Sequence, residues 1–237
     1  MKRLAIETAS LTQSVALEED GLLLDASVHL QTEGHARGLA DTVAQLLQRR
    51  GWGVEQLDEL VVGAGPGSFT GLRIGLSFAK GLAFASGARI RNVPSLEAIA
   101  SMLPAGGRLI YATDARRNEV YGGVYTTGRR VEALVPTGAY EPAVFAELAA
   151  PFAEGAWRSG NGVAKYADAF ATIAATAAPL SPQFDMPTAT ALLGYLQTHE
   201  VDLAEPSLIE PAYVRPHGAE AARGEALTLT SGLTRPA

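Results

Sequence analysis

The stretch of this sequence best suited to chemistry is Gly65-Pro66-Gly67-Ser68-Phe69-Thr70-Gly71-Leu72-Arg73-Ile74-Gly75. A glycine turn that feeds a helix leaves the first helical N–H groups without intrahelical partners, and such donors bind anions in many folds. The same kind of turn also serves simply to join a strand to a helix. It is not a Walker loop, because no Gly-Lys-Ser/Thr follows. Asp114, Arg116, Arg117, Asn118 and Glu119 form a second polar cluster at a strand end. Charged groups at such a turn are usually solvated. A paired-carboxylate role for Asp114 and Glu119 needs a separation that sequence alone does not supply. The histidines, His29, His35, His199 and His217, are scattered without metal-ligand spacing. A lone histidine at a helix start, as His35 is, is more often a cap or surface residue than a ligand. The absence of cysteine excludes disulfides and thiolate metal sites.

These residues must be positioned by regular elements, and the pattern suggests which. Residues 4–6, 14–17 and 22–30 read as three consecutive strands separated by Thr/Ser-rich and Asp-Gly segments. Leu39, Val43, Leu46 and Leu47 recur at helical spacing over 35–50, with Gly51 as the stop. A buried strand over 57–64 then runs into the glycine turn and a long apolar helix over 68–86. On that helix Gly71, Gly75, Ala79 and Ala83 form a ridge of small residues four apart, while Phe69, Leu72, Leu76, Phe78 and Leu82 make most of the remaining surface apolar. Each glycine costs up to about 1 kcal/mol against alanine, which close approach of another backbone would offset. The helix is therefore either an ordinary core helix or one that meets a partner.

A short strand over 89–93 and a helix over 96–103, with Ser95 as its N-cap, complete the first half. Pro104-Ala105-Gly106-Gly107 marks the expected junction. Beyond it, 109–112, 120–125 and 131–135 again read as three strands, followed by helical segments near 142–150, 163–172 and 189–199. The expected domains are 1–105 and 106–218, with a mobile tail over 219–237 that lacks apolar periodicity. The fold class is α/β, with two halves that each open on a three-strand meander.

At 237 residues and 47 % hydrophobic the chain can bury a substantial core. The N-terminal apolar run breaks at Glu7 and Thr8, so neither a signal peptide nor a membrane span is expected, and a fold without disulfides fits a cytoplasmic location. A net charge of -6 argues against this surface alone gripping an RNA backbone, which requires many Lys and Arg contacts.

GPGSFTGLRIG followed by AKGLA over 79–83 closely resembles the TsaB family, also called YeaZ. The resemblance extends to the IETAS opening, the His35 helix, Asp114-Ala115-Arg116 and Glu119-Val120-Tyr121, and covers about the first 125 residues well. It implies the ASKHA fold of actin, Hsp70 and sugar kinases, in two α/β domains. It also implies a role beside a related catalytic subunit, TsaD, and a P-loop ATPase, TsaE, which together transfer threonylcarbamoyl to the adenosine beside the tRNA anticodon.

The catalytic relatives carry HxxxH, two histidines one helical turn apart that can share a metal. Here the pattern is His35-Ala36-Arg37-Gly38-Leu39, so Leu39 breaks the pair and no metal is expected. Ile6-Glu7-Thr8-Ala9-Ser10 with Ser14 occupies the place where ASKHA proteins cradle ATP phosphates, but Glu7 stands where nucleotide-hydrolysing members commonly have Asp. Arg158-Ser159-Gly160-Asn161-Gly162 is either a remnant phosphate loop or a plain strand-to-helix turn.

The resemblance thus implies a non-catalytic partner subunit with no cofactor of its own, any nucleotide being held in the complex with TsaD. Contact with tRNA is expected only indirectly, and a homodimer is expected when the chain is alone. His35, Leu39, Phe69, Gly71, Leu72, Arg73, Gly75, Leu76 and Ala79 are the expected partner interface. The rival readings are an active ASKHA enzyme, either a small kinase or a metallopeptidase-like protein, and a structural homodimer without a tRNA role.

Overall fold

The computed structural model describes residues 1–30, 38–206 and 209–210. The expected tail over 219–237 and His35 lie outside the described residues. In the first half, β1 (Lys2–Glu7), β2 (Thr12–Glu19) and β3 (Leu22–Leu30) form an antiparallel meander, followed by α1 (Leu39–Arg50). Next come β4 (Glu59–Gly65), α2 (Phe69–Ser86), β5 (Arg89–Pro94) and α3 (Ser95–Ser101). β4 pairs parallel to β1, and β5 parallel to β4.

The second half repeats this plan. β6 (Arg108–Arg116), β7 (Glu119–Thr126) and β8 (Ala133–Tyr140) form an antiparallel meander, followed by α4 (Pro142–Ala149). β9 (Trp157–Ser159) pairs parallel to β6. α5 (Asn161–Lys165) and α6 (Ala171–Thr176) lead to β10 (Ala178–Pro179), which pairs parallel to β9. The chain continues with α7 (Ala189–Leu196) and β11 (Leu203–Ala204). The sheet orders are β11-β5-β4-β1-β2-β3 and β10-β9-β6-β7-β8. In each, the meander's first strand sits at the centre and two parallel strands extend beyond it, an ASKHA-like arrangement.

Strand alternation places the core on both faces of the first sheet. Leu4, Ile6, Val15 and Leu17 pack with Val43 and Leu46 of α1 and Leu76 and Ala79 of α2. Ala5, Ala16 and Val61, one residue out of phase, pack instead with Leu192 and Tyr195 of α7. The chain beyond residue 106 therefore contributes to both sheets, since α7 covers the first sheet and β11 extends it beside β5. Leu96, Ile99 and Leu103 pack against Leu109, Tyr111 and Tyr125, so the α3 segment bridges the two halves.

Beyond the short strands β9, β10 and β11, which were not expected, the largest differences from expectation lie in the second half. The helix expected over 163–172 is broken into α5 and α6, because Tyr166 leaves helical dihedrals (φ -112°, ψ 45°) and turns its hydroxyl to Asp114. The strand expected over 131–135 starts at Ala133 and runs on to Tyr140.

Candidate functional site

The glycine turn ends β4 and delivers Ser68 to the start of α2, where its hydroxyl caps the helix by accepting the Gly71 N–H at 3.2 Å. The turn lies directly on the hairpin after β1. The Ser68 N–H donates to the Ala9 carbonyl at 2.6 Å, and a Cβ on Gly67 would overlap that same carbonyl. Thr8, on the same hairpin, donates its hydroxyl to the Gly71 carbonyl at 2.8 Å. The two loops that could have cradled a phosphate between them are thus closed on each other, and the Ser68 and Gly71 N–H groups serve internal acceptors.

Glu7 ends β1 beneath this junction and is wholly buried. Its Oε1 accepts the Ala9 N–H at 2.6 Å and its Oε2 accepts the Ser95 hydroxyl at 2.6 Å. Ser95 accepts the Gly65 N–H at 3.1 Å in turn. Burial pushes the Glu7 carboxyl above its ordinary range, against the opposing effect of these hydrogen bonds. Only glycine fits at position 63, where a Cβ would overlap Glu7 Oε2. The expected role of Ser95 as a helix cap is corrected here. Pro94 occupies the N-cap position, and the Ser95 side chain ties β1 to β4 instead.

The expected interface residues separate into two faces. Gly71, Leu72, Gly75, Leu76 and Ala79 all face inward, with Leu72 at 4 % and Leu76 at 6 % exposure. The small-residue ridge meets the chain's own backbone. A Cβ on Gly75 would overlap Thr8 Oγ1, so the close approach inferred from the glycines is made to β1 and its hairpin. Leu39 is likewise buried, in the core between α1 and the sheet. Phe69 and Arg73 are exposed on α2, with the Arg73 guanidinium carbon 4.2 Å from the Phe69 ring centroid. Phe84, at 76 % exposure on the same helix, has no part in the expected set. Its position on a helix apolar nearly all round left no sequence signal of which side it faces.

In the second half, Asp114 sits near the end of β6. Its Oδ2 accepts Lys165 Nζ at 2.7 Å, and its Oδ1 accepts the Arg116 N–H at 3.0 Å and the Tyr166 hydroxyl at 3.1 Å. Burial alone would raise this carboxyl, but those donors outweigh it and hold it below its ordinary range. The segment at 158–162 is a strand-to-helix turn between β9 and α5. Its Gly160 N–H and Ser159 hydroxyl both donate to Asp185, and Asn161 Oδ1 accepts from Thr113 and from the Asp114 N–H. Among the described residues, no three His, Asp or Glu side chains group as metal ligands. No described helix is long and apolar enough to cross a membrane.

Comparison with known proteins adds to this geometry. Residues 28–222 match the family model described as TsaD, tRNA N6-adenosine threonylcarbamoyltransferase. An uncharacterized protein of Mycobacterium tuberculosis is 37 % identical over 129 residues, 54 % of this chain and 60 % of its own length. The tRNA threonylcarbamoyladenosine biosynthesis protein TsaB of Escherichia coli is 36 % identical over 128 residues, 53 % of this chain and 55 % of that protein. The aligned stretch thus spans between half and two thirds of these curated relatives. Among solved structures, a Pseudomonas aeruginosa protein described as similar to peptidase YeaZ superposes with a TM-score of 0.76 at 28 % identity, covering 90 % of this chain and 99 % of that one. YeaZ from Pseudomonas aeruginosa gives a TM-score of 0.70 at 27 % identity, covering 83 % and 92 %.

Proposed function

Because the chain belongs to the family that the TsaD model describes and, within it, to the TsaB (YeaZ) branch, we propose that it is a non-catalytic subunit in tRNA threonylcarbamoyladenosine synthesis, acting by holding a TsaD-like catalytic subunit in a competent state. The observation that carries this reading is the closed junction between the β1 hairpin and the glycine turn. Phosphoryl chemistry on this fold needs backbone donors and a carboxylate aimed at a bound nucleotide. Here the Ser68 and Gly71 N–H groups have internal acceptors, and Glu7 is buried beneath them with both oxygens engaged. The motif therefore serves to fix α2 on the sheet, and α2 in turn presents Phe69, Arg73 and Phe84 outward.

In this role the chain's contribution is a population shift of a few kcal/mol in its partner rather than chemistry. Any nucleotide would be held within the complex, a TsaE-like ATPase would act alongside it, and the isolated chain would pair with itself. Two measurements test the reading. Depletion of the chain should lower threonylcarbamoyladenosine in tRNA nucleosides analysed by mass spectrometry, and a pull-down should recover a TsaD-like protein. Unchanged modification, with no paralogue compensating, would refute it. ATP turnover by the pure chain with a small acceptor would favour a kinase instead.

A further inference from the structure

The hairpin between β6 and β7 is built against the grain of its own turn chemistry. Arg116 pairs with Glu119, which leaves Arg117 and Asn118 as a two-residue loop. Both have positive φ, 50° and 61°, the geometry of a hairpin turn that Asn-Gly adopts without strain. Arg116, beside a bulge that follows Asp114, has a φ of 61° as well. Arginine has no preference for the left-handed region, where its Cβ crowds the backbone. Two of the three positions nevertheless carry it. Strain of this kind persists where the surroundings over-determine it, and it concentrates at binding sites.

The surroundings here do so. Asp114 receives the Arg116 N–H, and is itself held by Tyr166, by Lys165 and, through its N–H, by Asn161. Because Lys165 takes the Asp114 charge, that carboxylate does not neutralise the arginine side chains. Both are exposed, and neither guanidinium has a hydrogen bond or ion pair among the described residues. Next to the tip lies an open cavity of about 370 Å³ lined by Asn118, Glu141, Lys165, Tyr166 and Asp168. Its carboxylates disfavour a phosphate inside, so an anion would be met at the arginines, with the cavity left to a neutral neighbouring group.

We propose that Arg116 and Arg117 make a direct contact to the phosphodiester backbone of RNA bound by the assembled complex. The inference rests on the subunit reading above. Guanidinium forks match phosphate oxygens bidentately, and two such contacts are a small addition to a partner's grip, consistent with the chain's net charge of -6.

The test uses the complex of the full chain with its TsaD-like partner and measures tRNA binding across a salt series. The variant is Arg116→Asn with Arg117→Asn, since asparagine tolerates the left-handed region and preserves the turn. Binding should weaken about tenfold at moderate salt, and the slope of log K against log salt should become shallower by about 1.5. The melting temperature should be unchanged or higher. Arg129→Asn with Arg130→Asn, equally exposed between β7 and β8, should leave both readouts unchanged. An unchanged affinity and slope for the first variant, or an equal loss for the control pair, overturns the contact alone. A chain that forms no complex overturns the premise, and the contact with it.

Discussion

The hydroxyl of Ser95 donates to the buried carboxyl of Glu7 at 2.6 Å, joining residues 88 positions apart at the floor of the glycine turn. Glu7 has no cationic partner in this contact, and burial raises its folded pKa above the ordinary 4.5. Ionising it therefore costs stability. Its own contribution to stability is therefore fully present below 4.5 and is lost as pH rises from 4.5 through the raised folded value. Glu7→Gln keeps an acceptor for one donor and cannot ionise, so it should flatten this decline in thermal melts taken across pH. A variant curve parallel to that of the wild type would show that Glu7 does not set the slope. Ser95→Ala leaves the Gly65 N–H and a Glu7 oxygen without their partner and should cost about 1–3 kcal/mol.

Glu59 has the opposite sign. It is buried at the start of β4 and accepts from Arg3 at 3.0 Å, Arg89 at 3.0 Å and Arg91 at 3.1 Å. Burial would raise its pKa, but the Arg91 and Arg3 hydrogen bonds outweigh that and hold it below 4.5. Its stabilisation is present above pH 4.5 and is lost as pH falls through the lower folded value. Glu59→Gln leaves Arg89 and Arg91 without a carboxylate partner, while Arg3 keeps Glu18 at 2.6 Å, and should cost about 3 kcal/mol at neutral pH. Denaturant titrations at neutral and acidic pH check both parts, because the difference between variant and wild type must shrink on acidification.

The glycines of the motif divide by what a methyl would meet. At Gly67 it meets the Ala9 carbonyl, which is fixed by the Ser68 N–H, and at Gly75 it meets a Thr8 hydroxyl already bonded to the Gly71 carbonyl. Alanine at either position should destabilise by about 1–3 kcal/mol or more. Gly81, on the same helix, has open space around it, so Gly81→Ala should gain up to about 1 kcal/mol in helix propensity. Chemical denaturation of the three variants should give two losses and one gain. Three equal effects would mean that packing does not distinguish the positions.

Much of this architecture was legible in local pattern. Both meanders and the helix over 68–86 follow from short strand-like runs broken by turn residues and from the long apolar stretch after the glycine turn. The face of α2 was not, because a helix apolar nearly all round carries no mark of which side meets its own sheet. The deciding contact is Thr8 on Gly71, 63 residues away. Ser95 misled for the same reason: its local signature is that of a cap, whereas its partners lie on β1 and β4. The return of α7 to the first sheet depends on contacts such as the Ala189 N–H on Ser14 Oγ, 175 residues apart. Local propensity does not encode such pairings.

The two faces of α2 supply the remaining prediction, which separates assembly from folding. Leu72 is buried at 4 % exposure against the sheet, whereas Phe84 is 76 % exposed. Leu72→Glu would place an ionised group in that core at a cost of several kcal/mol, enough to unfold a domain of ordinary stability. Phe84→Glu removes no core contact and should leave the thermal melt within about 0.5 kcal/mol of the wild type. If the outward face of α2 meets a TsaD-like partner, burying Phe84 there is worth about 2 kcal/mol. A carboxylate in its place adds a desolvation cost, so association should weaken at least about a hundredfold. Light scattering after size exclusion, with the chain alone and mixed with its partner, reads assembly, and a melt of the same samples reads the fold. Normal assembly by a folded Phe84→Glu variant would move the partner surface off this face, and a normally folded Leu72→Glu variant would show that Leu72 does not face the core.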